Sequence, residues 1–369
     1  MTLVTLRTLR YARAWLSESA EVVQDEILLD RDGTTVPATL VRPRKSSGPL
    51  PAWIVMHGIT RQGRAHDQLV RFTRSVAATG TVTIVPEVPE WRALDLAPHL
   101  SAPTIKAAIA GLRSSGAARD ERVGVIGFSF GAPHAIASSG DPTLRDDIAG
   151  TAGFGGYCHL ESMFRFMMTG RHSWRGEEHV LEPDPYARWI AAANYLTAIP
   201  DHEDAGDVAS ALRELAVQAG NSGSPSWHAI HDVIIVKLRE GVAESRRTLF
   251  DLFAPLSTTR SNGTKVGADA PSVAEGLSEA GRRIDPMIDP REALGAVDRP
   301  VHILHGRTDR LMPFTEGYRL HSAMPRSTRT QLTITRLFGH SGQDPFPFAR
   351  TLSEVPRLAR GMSGLLGVV

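Results

Sequence analysis

Short apolar runs, separated by polar, glycine-rich or helix-like segments, dominate the pattern of this chain. Around Asp32-Gly33, apolar and polar positions alternate, which predicts an antiparallel hairpin with a tight turn between residues 21 and 42. Further runs are mostly apolar, as is typical of parallel strands buried on both faces. They cover residues 53–56, 82–85, 123–126, 148–154, 301–304 and 331–335.

Helix-like periodicity fills several of the intervals between these runs. In one of them, Leu69, Phe72 and Val76 recur at helical spacing before Gly80, a residue type that commonly ends helices. Strands that alternate with helices form a sheet whose connections cross over its faces. The pattern therefore predicts an α/β fold in which about eight strands form a mostly parallel sheet with helices on both faces.

The alternation of strands and helices stops between residues 159 and 283. That segment has the pattern of successive helices, at residues 161–168, 186–199, 208–219, 228–253 and 272–283. We predict that it is a helical cap, inserted into a core formed by residues 21–158 and 284–369. Residues 1–20 mix arginines with leucines and aromatic residues, which predicts an amphipathic N-terminal helix packed on the body rather than a signal peptide.

Charge and composition narrow the classes of function. The 369 residues include 41 Lys and Arg and 40 Asp and Glu. This net charge of +1 produces no strong positive electrostatic field that would attract nucleic acid or an anionic membrane. The single cysteine, Cys158, excludes an internal disulfide and a cysteine-based zinc cluster. No apolar run is long enough to span a membrane, so a cytoplasmic location is the default expectation. A small-molecule substrate is the expected partner, and a homo-oligomer is left open.

The motif that most directly indicates a catalytic residue is Gly127-Phe-Ser129-Phe-Gly131. It follows the predicted strand at residues 123–126 and precedes a segment of helix-forming residues at 132–138. Two glycines allow the sharp strand-to-helix turn that exposes a serine hydroxyl, and the helix that begins there directs its N-terminal amides toward an anion. The alternative is a glycine-rich loop with a solvated serine. The strand and helix around the motif favour Ser129 as a nucleophile.

A second motif, His57-Gly58, ends the predicted strand at residues 53–56. A loop at this point brings a backbone amide toward the serine turn. We therefore predict an oxyanion hole formed by the backbone N–H groups of Phe130 and Ile59, which would bind a carbonyl oxygen as it becomes negative. His57 itself is interpreted as structural, because it precedes the serine in the chain.

Two further residues complete a candidate triad. Asp309 lies in the loop after the predicted strand at residues 301–304, and His340 follows the predicted strand at 331–335. Catalytic groups gather at such carboxyl ends in open α/β sheets. Asp309 is predicted to orient the imidazole and His340 to act as general base. The alternative for Asp309 is that it caps a turn, whereas Asp298 precedes its strand and belongs to the opposite end of the sheet.

Through His57-Gly58, the Ser129 motif, the Asp309 loop and Gly339-His340, the sequence resembles the α/β-hydrolase superfamily, in which nucleophile, acid and base occur in this order. The resemblance implies the α/β-hydrolase fold and acyl transfer through an acyl-enzyme, without a metal or an organic cofactor. A carboxylesterase for a small or medium substrate is the leading interpretation. An aminopeptidase or amidase and a C–C bond hydrolase are alternatives on the same fold, and a non-catalytic ligand-binding homologue is the alternative from another class.

The predicted cap is rich in large apolar side chains. We expect some of them to face the substrate, although for any one of them the favoured role is packing between the cap helices and against the sheet. These residues are Phe164, Phe166, Met167, Trp174, Trp189 and Trp227.

Overall fold

The computed structural model describes residues 2–46, 48–261, 269–337, 339 and 348–369, without the side chains of 260, 261 and 348–353. Its strands in these ranges are β1 (Val22–Arg31), β2 (Thr34–Pro43), β3 (Ala52–Met56), β4 (Val82–Pro86), β5 (Val123–Phe128), β6 (Ile148–Phe154), β7 (Arg171–Trp174), β8 (Glu177–Val180), β9 (Val301–Gly306) and β10 (Thr330–Thr335). Within the described ranges, eight strands form one sheet in the order β1-β2-β4-β3-β5-β6-β9-β10, and β7 pairs with β8.

The main sheet begins antiparallel and continues parallel. The hairpin of β1 and β2 turns at Asp32 and Gly33, as predicted, and β2 pairs antiparallel with β4. From β4 through β3, β5, β6 and β9 to β10, every neighbouring pair is parallel. The prediction of about eight mostly parallel strands is confirmed. Since parallel strands share one direction, the carboxyl ends of β3, β5, β9 and β10 lie at one edge of the sheet.

Helices connect and cover these strands. They are α1 (Leu3–Ser17), α2 (Asp67–Ala77), α3 (Pro89–Arg92), α4 (Ser101–Ser114), α5 (Gly131–Ala137), α6 (Leu160–Thr169), α7 (Pro185–Tyr195), α8 (Gly206–Ser222), α9 (Asp232–Glu240), α10 (Arg247–Phe253), α11 (Ser257–Ser261), α12 (Ala270–Ile284), α13 (Arg291–Leu294), α14 (Phe314–Ala323) and α15 (Phe348–Leu366).

Both faces of the sheet are buried by apolar side chains. Along β3, Ile54 joins an apolar cluster on one face with Ile105 of α4, while Trp53 joins a cluster on the other face with Phe72 of α2 and Leu365 of α15. This alternation follows from the period of two in a strand. Helices on both faces of the sheet were predicted, and the two clusters confirm them.

The segment between β6 and β9 differs in two places from the purely helical pattern that was predicted. A short hairpin, β7 with β8, follows α6 and turns at Arg175 and Gly176, which have φ values of 51° and 84°. Positive φ at both central residues is what a two-residue hairpin of this kind requires. The predicted helix at 228–253 is divided into α9 and α10 around Gly241, because glycine disfavours continuation of a helix.

The N-terminal helix α1 packs on the body of the protein. The Arg7 guanidinium in α1 donates a hydrogen bond of 3.1 Å to the carbonyl of Leu366 in α15. On the same helix, the Tyr11 ring meets Phe72 of α2 edge to face, with 6.0 Å between the ring centroids. Helix α1 is therefore attached to the two helices that cover this face of the sheet. No helix in the described part of the chain is long and apolar enough to cross a membrane.

Candidate active site

Ser129 occupies a strained turn between β5 and α5. Strand β5 ends at Phe128, α5 begins at Gly131, and Ser129 has φ = 54°. A residue with a Cβ atom rarely adopts this left-handed conformation, which costs about 1–2 kcal/mol. The Ser129 N–H donates a hydrogen bond of 2.8 Å to the Phe154 carbonyl at the end of β6, which fixes the turn to the neighbouring strand.

The two glycines of the motif are required by close backbone contacts. A Cβ atom on Gly127 would lie 2.2 Å from the Gly131 carbonyl oxygen, and one on Gly131 would lie 2.6 Å from the His57 carbonyl oxygen. Neither position has room for a side chain, because each of these neighbours is backbone. A serine with positive φ between two such glycines, at the carboxyl end of an inner strand, has the backbone geometry of the turn called a nucleophile elbow.

The described residues combine this turn with a mostly parallel eight-stranded sheet, and the combination identifies the fold. The chain has the α/β-hydrolase fold. In this α/β-hydrolase fold, the groups that act with the serine are expected in the loops after the neighbouring strands. The predicted site residues are therefore expected at the carboxyl edge of the sheet.

The loop after β3 passes directly against Ser129. A Cβ atom on Gly58 would lie 2.9 Å from the Ser129 Cβ and 3.4 Å from its Oγ. Ile59 follows in this loop, and Phe130 follows Ser129 at the N-cap position of α5. Among the described residues, neither the Ile59 N–H nor the Phe130 N–H donates a hydrogen bond to the protein. Both predicted oxyanion donors thus belong to segments that meet at Ser129.

Asp309 lies in the loop after β9 and is 1% exposed. Its Oδ1 accepts hydrogen bonds from the N–H groups of Leu311 and Met312, each at 2.9 Å, so the carboxylate is held by the turn that it caps. Its Oδ2 lies 3.8 Å from Nε2 of His305, a fully buried residue of β9. The turn-capping role that was the alternative for Asp309 is therefore present, and it fixes the direction of the carboxylate.

His340, the predicted general base, lies outside the described residues. The chain that leads to it leaves β10 at Thr335, whose carbonyl accepts a hydrogen bond of 2.7 Å from the N–H of Arg307. Arg307 is two residues before Asp309, so this bond joins the loops that follow β9 and β10. Within the described residues, no imidazole forms a hydrogen bond with Ser129 Oγ.

His57 is buried beside the elbow and contacts backbone groups and one acid. It is 1% exposed, its Nδ1 lies 2.7 Å from the Gly58 carbonyl oxygen, and its Nε2 lies 3.0 Å from Glu87 Oε1. These contacts agree with the structural role predicted for His57. Glu87 was not identified from the sequence, because a single acidic residue after an apolar run carries no periodic signal. The flanking prolines in Pro86-Glu87-Val88-Pro89 are the local sequence feature that could have identified this acidic residue.

Most of the large apolar residues singled out in the 159–283 segment are packed inside the protein. Phe164, Phe166, Met167 and Trp189 belong to the apolar cluster that also contains the sheet residue Ile54. Their burial supports the packing role rather than contact with substrate. Trp174 and Trp227 are partly exposed, with Trp174 stacked on Tyr318 and Trp227 beneath the Arg310 guanidinium.

The described residues contain no group of three or more His, Cys, Asp or Glu side chains that could hold a metal ion. In the largely exposed acidic loop at residues 201–204, Asp204 pairs with Arg246 at 3.0 Å.

No model of a known protein family matches the chain, and no curated protein matches it by sequence. Solved structures do resemble it. Est1E from Butyrivibrio proteoclasticus has a TM-score of 0.47 and 13% identity over 92% of this chain and 97% of its own. A fungal esterase structure from Rhizomucor miehei has a TM-score of 0.45 and 15% identity over 98% and 91%. A putative dienelactone hydrolase from Klebsiella pneumoniae has a TM-score of 0.46 and 11% identity over 93% and 98%.

Proposed function

We propose that this protein is a serine hydrolase that cleaves a carboxylic ester of a small or medium substrate through an acyl-enzyme. The observation that carries the proposal is the backbone of Ser129, held at φ = 54° between β5 and α5. Strain of this kind persists only where the surrounding structure imposes it, and it occurs preferentially at functional sites. A solvated loop serine would relax to an ordinary conformation.

In the proposed mechanism, His340 accepts the Ser129 hydroxyl proton while Oγ attacks the ester carbonyl carbon. The carbonyl oxygen becomes negative and is bound by the N–H groups of Phe130 and Ile59. The ester C–O bond then breaks, His340 returns the proton to the leaving alcohol, and an acyl-enzyme remains. Water, deprotonated by His340, releases the acid in the second half of the reaction. Asp309 stays ionised and holds the imidazole tautomer.

The proposed role of Asp309 is supported by how its turn holds the carboxylate. The N–H groups of Leu311 and Met312 bind Oδ1 at 2.9 Å each, so the direction of the carboxylate is fixed by the backbone. A rigid carboxylate orients an imidazole better than a mobile one, because less conformational entropy is lost when the hydrogen bond forms. The loop of Asp309 is also joined to the strand before His340 through Arg307 and Thr335.

We further propose that residues 159–283 form a cap that limits the size of the substrate. The support is topological. This segment leaves the sheet directly after β6, the strand between β5 and β9, and so begins at the same carboxyl edge as Ser129 and Asp309. Cap helices at that edge would exclude water from the acyl-enzyme and provide an apolar wall for the substrate.

The proposal is tested with a fluorophosphonate probe and a substrate panel on the purified full chain. Intact mass followed by peptide mapping should find one adduct, on Ser129, and Ser129→Ala should remove it. Ser114→Ala is the matched control, because the Ser114 hydroxyl donates a hydrogen bond to the Gly111 carbonyl within its own helix α4. p-Nitrophenyl esters of rising chain length, beside aminoacyl amides, then measure the bond preference. A folded wild type that is neither labelled nor active on any ester would contradict the proposal, and faster cleavage of the amides would replace the ester assignment.

A further inference from the structure

A tyrosine in the segment between β6 and β9 has a buried hydroxyl group that forms no hydrogen bond with the described residues. Tyr186 lies in the first turn of α7, and its Oη atom is shielded from solvent. A buried polar atom without a partner is unfavourable, because it has lost its hydrogen bonds to water and gained none in return. Such an atom in a folded protein calls for an explanation, and one explanation is a ligand.

The hydroxyl lies beside the loop after β3. A Cβ atom on Gly220, near the end of α8, would lie 2.7 Å from Tyr186 Oη and 2.6 Å from Arg61 Cγ, so these three groups meet at one place. Arg61 can only donate hydrogen bonds, and it donates from Nε to the Asn221 side chain and from Nη1 to the Arg92 carbonyl. Since Arg61 is two residues after Ile59, the hydroxyl is close to the loop that carries a proposed oxyanion donor.

The backbone before Tyr186 lies at the other side of the candidate site. The N–H of Asp184, two residues earlier, donates a hydrogen bond of 2.7 Å to the carbonyl of Arg310, which directly follows Asp309 in the loop after β9. Strand β5, which leads to Ser129, lies with β6 between β3 and β9 in the sheet. Tyr186 therefore extends from the loop after β9 toward the loop after β3, along the carboxyl edge at which Ser129 lies.

Tyr186 is held in place by its backbone and by packing. Its N–H donates a hydrogen bond of 2.9 Å to the Asp184 side chain, which caps α7. Its ring meets the buried Trp189 edge to face, with 6.4 Å between the ring centroids. Burial raises the pKa of the Tyr186 hydroxyl, so the group stays protonated and can donate at neutral pH. A fixed donor of this kind is well suited to bind a polar atom of a ligand.

A second tyrosine of α7 shows that a missing partner is not sufficient evidence by itself. The Tyr195 hydroxyl is also buried and forms no hydrogen bond with the described residues. Tyr195 packs against α12, where a Cβ atom on Gly281 would lie 3.5 Å from its ring. It lies at the opposite end of α7 from Tyr186, about 13 Å further along the helix axis. The position of Tyr186 between the two loops, and not burial alone, distinguishes it.

We propose that Tyr186 is a substrate-binding residue whose hydroxyl donates a hydrogen bond to an oxygen atom of the substrate other than the scissile carbonyl oxygen. The inference rests on the proposed hydrolase function and names the class of ester, one that carries an ether, hydroxyl or second carbonyl oxygen in its acyl or alcohol part. The N–H groups of Phe130 and Ile59 bind the scissile carbonyl oxygen in the proposed mechanism. A purely hydrocarbon ester would leave the hydroxyl unpaired, so the site should discriminate against it.

The expected consequence of losing this bond is a higher KM at unchanged kcat. The recognised oxygen takes no part in the reaction, so the bond stabilises the bound ester and the transition state equally. A neutral hydrogen bond should contribute about 3- to 10-fold in affinity. Tyr186→Phe removes only the hydroxyl, and its melting temperature should equal or exceed that of wild type, because an unpaired buried atom is lost.

The test compares Tyr186→Phe with Tyr195→Phe, which removes the other unpaired hydroxyl of α7. One ester series is p-nitrophenyl hexanoate and its isosteres with oxygen in place of the third, fourth or fifth chain carbon. The other is pentyl butyrate with the same replacements along its alcohol. For at least one isostere, kcat/KM relative to the hydrocarbon parent should fall about 3- to 10-fold in Tyr186→Phe, through KM. Tyr195→Phe should keep the wild-type ratios.

Three outcomes overturn the inference. They are ratios that are equal in all three proteins across both series, equal losses in the two phenylalanine variants, and a uniform fall of kcat on every ester in Tyr186→Phe. If Tyr186→Phe does not fold, Gly220→Ala carries the same test with the same outcomes, because its Cβ atom would displace the hydroxyl.

A binding measurement separates this inference from the proposed function. Ketones in which a methylene replaces the ester oxygen cannot be hydrolysed, and those of both series are titrated by thermal shift. At least one oxygen-containing ketone should lose about 3- to 10-fold in affinity, relative to its hydrocarbon parent, in Tyr186→Phe. If wild type cleaves no ester, the proposed function fails by itself and the ketones decide. A preference for oxygen that is lost in Tyr186→Phe supports the role, and a preference that is absent or equal in both proteins overturns it.

Discussion

Gly58 and Ser129 are in such close contact that a single added carbon at residue 58 would lie 2.9 Å from the Ser129 Cβ. This contact joins the loop after β3 to the turn after β5, two segments 71 residues apart in sequence. It is possible only because β3 and β5 are neighbouring parallel strands whose carboxyl ends coincide. The distance makes residue 58 a sensitive position for both stability and chemistry.

Gly58→Ala should lower kcat at least about tenfold, because the methyl group must displace either the loop that carries Ile59 or the nucleophile itself. Some loss of stability should accompany it, since overpacking costs about 1–3 kcal/mol. Steady-state kinetics and thermal unfolding check both effects. Gly206→Ala is the control, because a Cβ atom there meets nothing within 4 Å. Equal kinetics for the two variants would show that the loop yields without consequence for catalysis.

The strain at Ser129 gives a prediction about stability alone. Glycine adopts φ = 54° without the penalty that any Cβ atom incurs, so Ser129→Gly should be more stable than Ser129→Ala by about 1 kcal/mol. Both variants should be inactive. Chemical denaturation of the two proteins measures the difference. A glycine variant that is less stable than the alanine variant would mean that the surrounding contacts, and not the backbone, set the energy of this turn.

Hydrophobic patterns that extend over a whole strand predicted the sheet correctly, whereas very short strands and single residues were missed. Alternation around Asp32-Gly33 and the continuous apolar runs gave the sheet, because burial imposes those patterns directly. The hairpin of β7 and β8 was missed because strands of four residues are too short to establish alternation. The contact between Glu87 and His57, 30 residues apart in the chain, was missed because only the folded chain creates it.

For the candidate site, the positions of the residues were predicted from the sequence, but their contacts were not. The positions of Ser129, Ile59, Phe130 and Asp309 follow from strand ends, which the sequence located to within two residues. What each group contacts does not follow from strand ends. For example, Asp309 caps its turn and is also proposed to orient the imidazole, whereas these two roles were predicted as alternatives. The bounds of the cap at 159–283 and the role of His340 stay predictions.

Asp309→Asn should separate these two roles. An asparagine Oδ1 can still accept from the N–H groups of Leu311 and Met312, so the turn and the fold should survive. Under the proposed mechanism, the neutral amide favours the wrong imidazole tautomer, and kcat should fall at least about a hundredfold. Kinetics and thermal unfolding are compared with those of Asp298→Asn, an exposed position before β9. Wild-type turnover in folded Asp309→Asn would remove Asp309 from the triad.

A buried histidine in α5 makes stability depend on pH. His134 is 7% exposed, and burial lowers its pKa to about 3. Its ring contacts Phe130, which follows the nucleophile, at 5.1 Å between centroids. The folded protein therefore holds His134 neutral at pH values where the unfolded chain, with a histidine pKa of about 6.5, is already protonated.

The direction of the effect follows from proton binding. Below about pH 6.5 the unfolded state binds the proton more tightly than the folded state, so acid favours unfolding. The contribution of His134 to stability is fully present above pH 6.5 and is lost as the pH falls from 6.5 toward 3. Between pH 7.5 and pH 5, this single group should lower the free energy of unfolding by about 2 kcal/mol.

His134→Gln removes the titrating group, so the stability of that variant should fall by about 2 kcal/mol less than wild type between pH 7.5 and pH 5. The comparison uses the change with pH within each protein, which cancels any constant cost of the substitution. His321→Gln, at an exposed position of α14, is the matched control and should follow the wild-type curve. Urea denaturation of the three proteins at both pH values provides the six free energies. If His134→Gln retains the full wild-type dependence, the acid sensitivity comes from other buried histidines, of which His172, with its pKa lowered to about 4 chiefly by burial, is the next to substitute.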